Sequence, residues 1–102
     1  MALSKQFLKV RPVCKVRFSL TPEECGDAAA VFLVGDFNGW DPEKTPMRRM
    51  KNGKFTADLE LVPGESYQFR YLTDDGRWLN DAAADAYEFC EFAQAENCIL
   101  QV

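Results

Sequence analysis

The chain has 102 residues, enough for one ordinary domain with a radius of gyration of about 13 Å. Its 47% hydrophobic and 27% charged residues supply one core and keep it in solution, which excludes the disordered and fibrous classes. Twelve Lys and Arg against sixteen Asp and Glu leave a formal charge of -4, the wrong sign for capturing nucleic acid or an anionic membrane, so neither is expected as a partner.

Residues 1–14 interrupt every apolar run with Lys or Arg, and no window reaches the ~20 consecutive apolar residues of a membrane span. Neither a secretory signal nor a membrane segment is expected, and the chain is expected in the cytoplasm. Val16, Phe18 and Leu20 then alternate with Lys15, Arg17 and Ser19, the period of a strand with one wet face. Thr21 to Ala30 is rich in Ala and acid and breaks that pattern. Ala29 to Phe37 is nearly continuous in apolar character and predicts a central, deeply buried strand. It runs into Gly35-Asp36-Phe37-Asn38-Gly39, a turn that carries Trp40.

The Asn-Gly pair in Lys51-Asn52-Gly53-Lys54 suits a type I′ hairpin turn. Phe55, Ala57, Leu59 and Leu61 alternate with Thr56, Asp58 and Glu60 in the next strand, Val62-Pro63-Gly64-Glu65 turns the chain, and Tyr67, Phe69 and Tyr71 alternate with Gln68 and Arg70. Asp74-Asp75-Gly76-Arg77 is a third turn and carries Trp78. Asn80 to Ala95 predicts a helical turn or a long loop, and Asn97 to Val102 a closing strand. About seven short strands with two-faced patterns predict an all-β, immunoglobulin-like antiparallel β-sandwich forming a single domain over residues 1–102.

Catalytic signatures are missing. The chain has no His, no nucleophile elbow and no phosphate-cradling glycine loop, so no enzyme activity is expected. Asp74, Asp75, Asp81 and Asp85 form an acidic cluster, read as solvated loop acids rather than a carboxylate pair or a calcium loop. The cysteines (Cys14, Cys25, Cys90, Cys98) lack zinc-knuckle spacing and predict free thiols, with Cys14 and Cys98 in the core; neither a metal nor another cofactor is expected.

The informative residues are the two tryptophans, both placed where strands end. A flat indole presented to solvent matches the apolar face of a pyranose ring, and a few polar side chains then fix orientation. Arg70, on the polar side of its strand eight residues before Trp78, offers a fan of donors; Asn97 offers both donor and acceptor. Each has a plainer reading, lids over the core for the tryptophans, a surface arginine for Arg70, and a backbone-bonding role at a strand entrance for Asn97.

Val34-Gly35-Asp36-Phe37-Asn38-Gly39-Trp40, Gly64-Glu65-Ser66-Tyr67-Gln68-Phe69-Arg70-Tyr71, Asp75-Gly76-Arg77-Trp78 and Asn97-Cys98-Ile99-Leu100-Gln101-Val102 together resemble carbohydrate-binding module family 48. The family includes the glycogen-binding domain of the AMP-activated protein kinase β subunit and the early-set domain of isoamylase, branching and debranching enzymes. The likeness runs from about residue 31 to residue 102. It implies a β-sandwich that binds α-1,4-linked glucan without catalysis, Trp40 and Trp78 stacking on glucose rings while Arg70 and Asn97 bond hydroxyls. It also aligns the family's loop leucine near Ala93, where only a methyl group is available beside Phe92, which implies weaker capture of cyclic oligosaccharides. A family member of this size is expected to act alone or in trans, and the rival expectation is an interaction module that docks on a glycogen-metabolising enzyme.

Overall fold

A computed structural model describes residues 2–91 and 95–102. Two antiparallel sheets pack face to face around one apolar layer, the sandwich expected from the alternating segments. The first sheet holds β1 (Ala2–Phe7), β2 (Cys14–Leu20), β5 (Phe55–Leu61) and β4 (Arg48–Arg49), in the order β1-β2-β5-β4. The second holds β3 (Val31–Gly35), β6 (Ser66–Thr73), β9 (Ala95–Gln101) and β8 (Ala86–Cys90), in the order β3-β6-β9-β8, and β7 (Trp78–Leu79) also pairs with β6. The Cα radius of gyration is 13.2 Å.

The period-2 pattern sets the inner faces. Cys14, Val16, Phe18 and Leu20 of β2 are buried, as are Phe69, Tyr71 and Thr73 of β6 and Cys98 and Leu100 of β9. Rings dominate the seam between the sheets. Phe18 meets Phe69 edge-on at 5.3 Å between centroids, and Phe69 meets Tyr71 at 5.7 Å. All four cysteines are free thiols, and burial pushes the Cys98 thiol upward, away from the reactive thiolate.

Four sequence expectations about the strands and turns need correction. Val31–Gly35 is not central: it lies at the end of its sheet, and its burial comes from the following loop, which covers the free edge through Leu33 N–H to the Thr45 carbonyl at 2.9 Å and Met47 N–H to the Val31 carbonyl at 2.8 Å. Among the described residues, the stretch from Asn80 to Ala95 is neither a helical turn nor one long loop, because β8 forms within it against β9. With the N-terminal strand and the two-residue β4 and β7, the described residues hold nine strands rather than seven.

The fourth concerns the Asn-Gly turn. Gly53 has φ +85° but Asn52 does not share the left-handed region, which a type I′ turn requires at both positions. Gly53 N–H instead bonds the Met50 carbonyl and Met50 N–H the Lys54 carbonyl, a three-residue loop ending in a left-handed glycine. The Thr73–Arg77 loop repeats this geometry, with Gly76 at φ +84°.

Candidate functional site

The outer face of the second sheet gathers most of the polar and aromatic residues singled out in the sequence. On β6, Gln68 and Arg70 alternate with the buried Phe69 and Tyr71 and therefore point away from the core. Register carries the same face onto β9 and β8, since Phe69 pairs with Cys98 and Glu88 with Asn97. Trp78 pairs with Leu72 and so joins it too.

Trp78 is 44% exposed, and the Arg70 guanidinium lies over its ring, 5.3 Å from the centroid. This cation–π contact lies on one face of the indole, and the ring keeps a large share of its surface in solvent. Arg70 is fixed in turn by Asn80: Arg70 Nε donates to Asn80 Oδ1 at 2.8 Å, while Asn80 Nδ2 donates to the Glu96 carbonyl at 2.9 Å. Asn80 thereby joins the end of β7 to the start of β9, at the place where β6 passes from one partner to the other.

Asn97 is only 5% exposed. Its Nδ2 donates to Gln68 Oε1 at 3.0 Å, and Gln68 Nε2 donates to Glu88 Oε2 at 3.0 Å, so one polar row crosses three strands. Asn97 thus bonds a neighbouring side chain, with little of its own surface in contact with solvent.

Trp40 stands on separate support. It follows a 3₁₀ turn (Asp36–Asn38) and Gly39, and it adopts φ +59°, a left-handed conformation uncommon for an L residue with a large side chain. Asn38 braces the loop, donating to the Leu33 carbonyl at 2.9 Å and to Thr45 Oγ1 at 3.0 Å and accepting the Gly35 N–H at 3.1 Å. Trp40 N–H bonds the Gly35 carbonyl at 2.9 Å, and its indole N–H bonds Asp36. The ring is half-buried. Gly35, where the Trp40 loop leaves β3, pairs with Phe69, and Trp78 pairs with Leu72 on the other side of β6, three residues further along that strand.

The structure therefore joins Arg70 to Trp78, sets Asn97 within the adjoining polar row, and carries Trp40 on the loop beyond β3. Ala93 and Phe92, where the family's loop leucine aligns, lie outside the described residues. Sequence reasoning passed over Asp36, Gln68, Asn80 and Glu88. Gln68 shares the outward parity of Arg70 and was legible from that alone; Asp36 reaches Trp40 within one loop, whereas the contacts of Asn80 and Glu88 depend on how the strands pair.

The acidic cluster disperses on folding. Asp74 accepts the N–H groups of Ala29 and Ala30, Asp75 pairs with Arg77, and Asp85 pairs with Lys5. Asp81 corrects the expectation of solvated loop acids, for it is fully buried beneath the Tyr71 hydroxyl at 2.6 Å. Two shallow depressions, of about 230 and 250 Å³, lie on the other sheet. Arg17 and Asp58 line both and are bonded to each other, and neither depression has an aromatic wall, so they lack the chemistry of the Trp78 face.

Comparison with known proteins points the same way. A 1,4-alpha-glucan branching enzyme of Xanthomonas campestris is 36% identical over 78 residues, 76% of this chain and 10% of that enzyme. One of Rhizobium etli is 35% identical over 95 residues, 91% of this chain and 13% of the enzyme. The chloroplastic Protein PTST homolog 2 of Arabidopsis thaliana is 37% identical over 54 residues, 53% of this chain and 10% of that protein. The chain thus spans about a tenth of the length of the curated relatives it matches. The family described as carbohydrate-binding module 48 (isoamylase N-terminal domain) matches residues 26–95, which cover β3 to the start of β9 and both tryptophan loops. On that match and on the sandwich that carries it, the chain belongs to the carbohydrate-binding module 48 family.

Proposed function

We propose that this chain is a non-catalytic binding module for α-1,4-linked glucan of the glycogen or starch type. Trp78 and Trp40 stack on glucose rings, Arg70 bonds hydroxyls beside Trp78, and Asn97 orients the polar row behind them. The observation that carries the reading is the pairing of an exposed indole with a fixed guanidinium on an open sheet face, within a carbohydrate-binding family. A sugar stacks its C–H face on the exposed part of the Trp78 ring, and the guanidinium donors not used by Asn80 serve hydroxyls of a neighbouring glucose unit. The relatives named as 1,4-alpha-glucan branching enzymes support α-1,4-glucan as the substrate class.

Two stacked rings and a few hydrogen bonds exchanged with water give a dissociation constant on the order of 10 μM to 1 mM. Because the ligand is neutral, binding is insensitive to salt. Affinity electrophoresis in gels containing glycogen or amylose tests the reading, with tryptophan fluorescence as a second readout. Retardation that is unchanged by added salt is expected, and unretarded migration at high polysaccharide concentration overturns it.

A second reading is docking on a glycogen-metabolising enzyme in trans. It is favoured by the small share of each relative that this chain covers, which sets the module beside a much larger body in those proteins. Exposed Trp with Arg is also the composition of a protein-binding hot spot. Failure to bind either polysaccharide, together with co-migration with a branching enzyme, favours this second reading.

A further inference from the structure

We propose that Asp36 is the positioning residue for the Trp40 indole and acts on carbohydrate binding through that ring. The inference rests on the glucan reading above. Asp36 opens the 3₁₀ turn, and its carboxylate spans two elements. Oδ1 accepts the indole Nε1–H of Trp40 at 2.8 Å, and Oδ2 accepts the backbone N–H of Gln68 at 2.8 Å. Strand β6 is paired with β3 on one side and β9 on the other, so the Gln68 N–H is a fixed point. The plane of the indole is consequently referred to the sheet rather than to the loop that carries it.

The backbone at Trp40 agrees with this role. A large side chain at φ +59° persists only where its surroundings over-determine it, and such positions cluster at binding sites. Here the surroundings are the Gly35 carbonyl on the main-chain N–H and Asp36 on the indole N–H. A loop needed only to turn the chain gains nothing from tethering an indole edge to the next strand.

The tether has three consequences for a sugar. With its indole N–H committed to a carboxylate and its main-chain N–H to the Gly35 carbonyl, Trp40 presents faces and not a donor, so its contribution is stacking alone. The adjacent anion also raises electron density on the ring, which strengthens its attraction for the partly positive C–H groups of a pyranose. Furthermore, rotation of the side chain is restricted on folding instead of on binding, which removes an ordering cost from the association step. Through Gln68 the same anchor reaches the Asn97 and Glu88 row, so both ends of the site share one strand as reference.

Asp36→Asn tests the proposal, since an amide cannot accept from both N–H groups with its two terminal atoms. Glycogen affinity should fall roughly three- to tenfold, the range expected when one side chain must be ordered during binding. In a Trp40→Phe background, where no indole N–H exists, the same substitution should change affinity less than about twofold, because the pair no longer couples. In a Trp78→Phe variant the single remaining indole N–H, observed by NMR, should exchange slowly with solvent and lose that protection on Asp36→Asn. Equal losses in the two backgrounds, or an unprotected indole N–H before substitution, overturn the role of Asp36. Wild-type protein that binds glycogen no better than Asp36→Asn overturns it as well. Wild-type protein that binds neither glycogen nor amylose overturns the glucan reading and this role with it, and the NMR measurement then reports whether the tether itself exists.

Discussion

Neighbouring residues of β6 have opposite fates, and substitution should separate them. Arg70 points outward onto Trp78, whereas Tyr71 points inward and is fully buried, its phenol pushed far above the usual range by burial and by the Asp81 carboxylate it bonds. Trp78→Ala and Trp40→Ala should each weaken glycogen retention at least several-fold. Loss of the exposed Trp78 ring should change folding stability by no more than about 1 kcal/mol. A large drop in the thermal midpoint for Trp78→Ala would return that indole to the role of a core lid. Tyr71→Phe should do the reverse: it keeps the ring but removes a donor from a buried carboxylate, costing about 1–3 kcal/mol in urea unfolding, while glycogen retention stays the same. Parity told in advance which of these side chains faced the core. Nothing local marked Asp81 as buried, because its partners Tyr71, Cys98 and Tyr87 come from three different strands.

Among the elements, the β3-to-Trp40 turn is the most constrained. A Cβ at Gly35 would come within 2.5 Å of the Gln68 carbonyl oxygen and 2.8 Å of the Phe69 Cβ, and the first of these is backbone that cannot step aside. Gly35→Ala should therefore destabilise the protein by about 2 kcal/mol or more in denaturant unfolding, and it should weaken glucan retention by shifting β3 from the strand that anchors Asp36. A neutral Gly35→Ala would show that β3 and β6 need not approach so closely. The glycine turns were legible as turns, since Gly53 and Gly76 are the residues that take up left-handed backbone. Their type was not, because Asn-Gly supports both a two-residue and a three-residue loop and the choice follows from how β4 and β5 pair. Likewise β8 escaped notice because Ala86–Cys90 carries exposed Tyr87, Glu88 and Phe89 in succession and acquires strand geometry only from β9.

At the scale of the molecule, charge is divided between the halves of the chain. Ten of the twelve Lys and Arg precede Phe55, and ten of the sixteen Asp and Glu follow Lys54. Several acids are held below their ordinary value of 3.8 by the fold. The Arg17 guanidinium bonds Asp58, the Thr73 hydroxyl and then Arg77 bond Asp75, and for Asp85 the opposing effect of burial is outweighed by Lys5 and the Gln101 N–H. A carboxylate whose folded pKa is depressed stabilises the native state above its unfolded value and loses that contribution as pH falls through the folded one. The urea midpoint should thus be flat between about pH 8 and about pH 5 and decline below about pH 4, modestly because these pairs are solvent-exposed. A midpoint independent of pH down to about pH 3 would show that these ion pairs gain nothing from folding.

Alternation along the chain was enough to define an all-β sandwich and its inner faces, because a period of two is a local property that any half-buried strand must display. The same residues carried the family resemblance, through motifs a few residues long. Which side chains touch was decided only by tertiary structure. Register between β6, β9 and β8 sets Asn97 against Gln68 and Glu88, the switch of β6 from β9 to β7 sets Asn80 under Arg70, and the closure of β3 on β6 brings Asp36 to the Gln68 N–H. These contacts join residues from 10 to 32 positions apart, and no local pattern encodes them because strand order and register are fixed by burial across the whole sandwich.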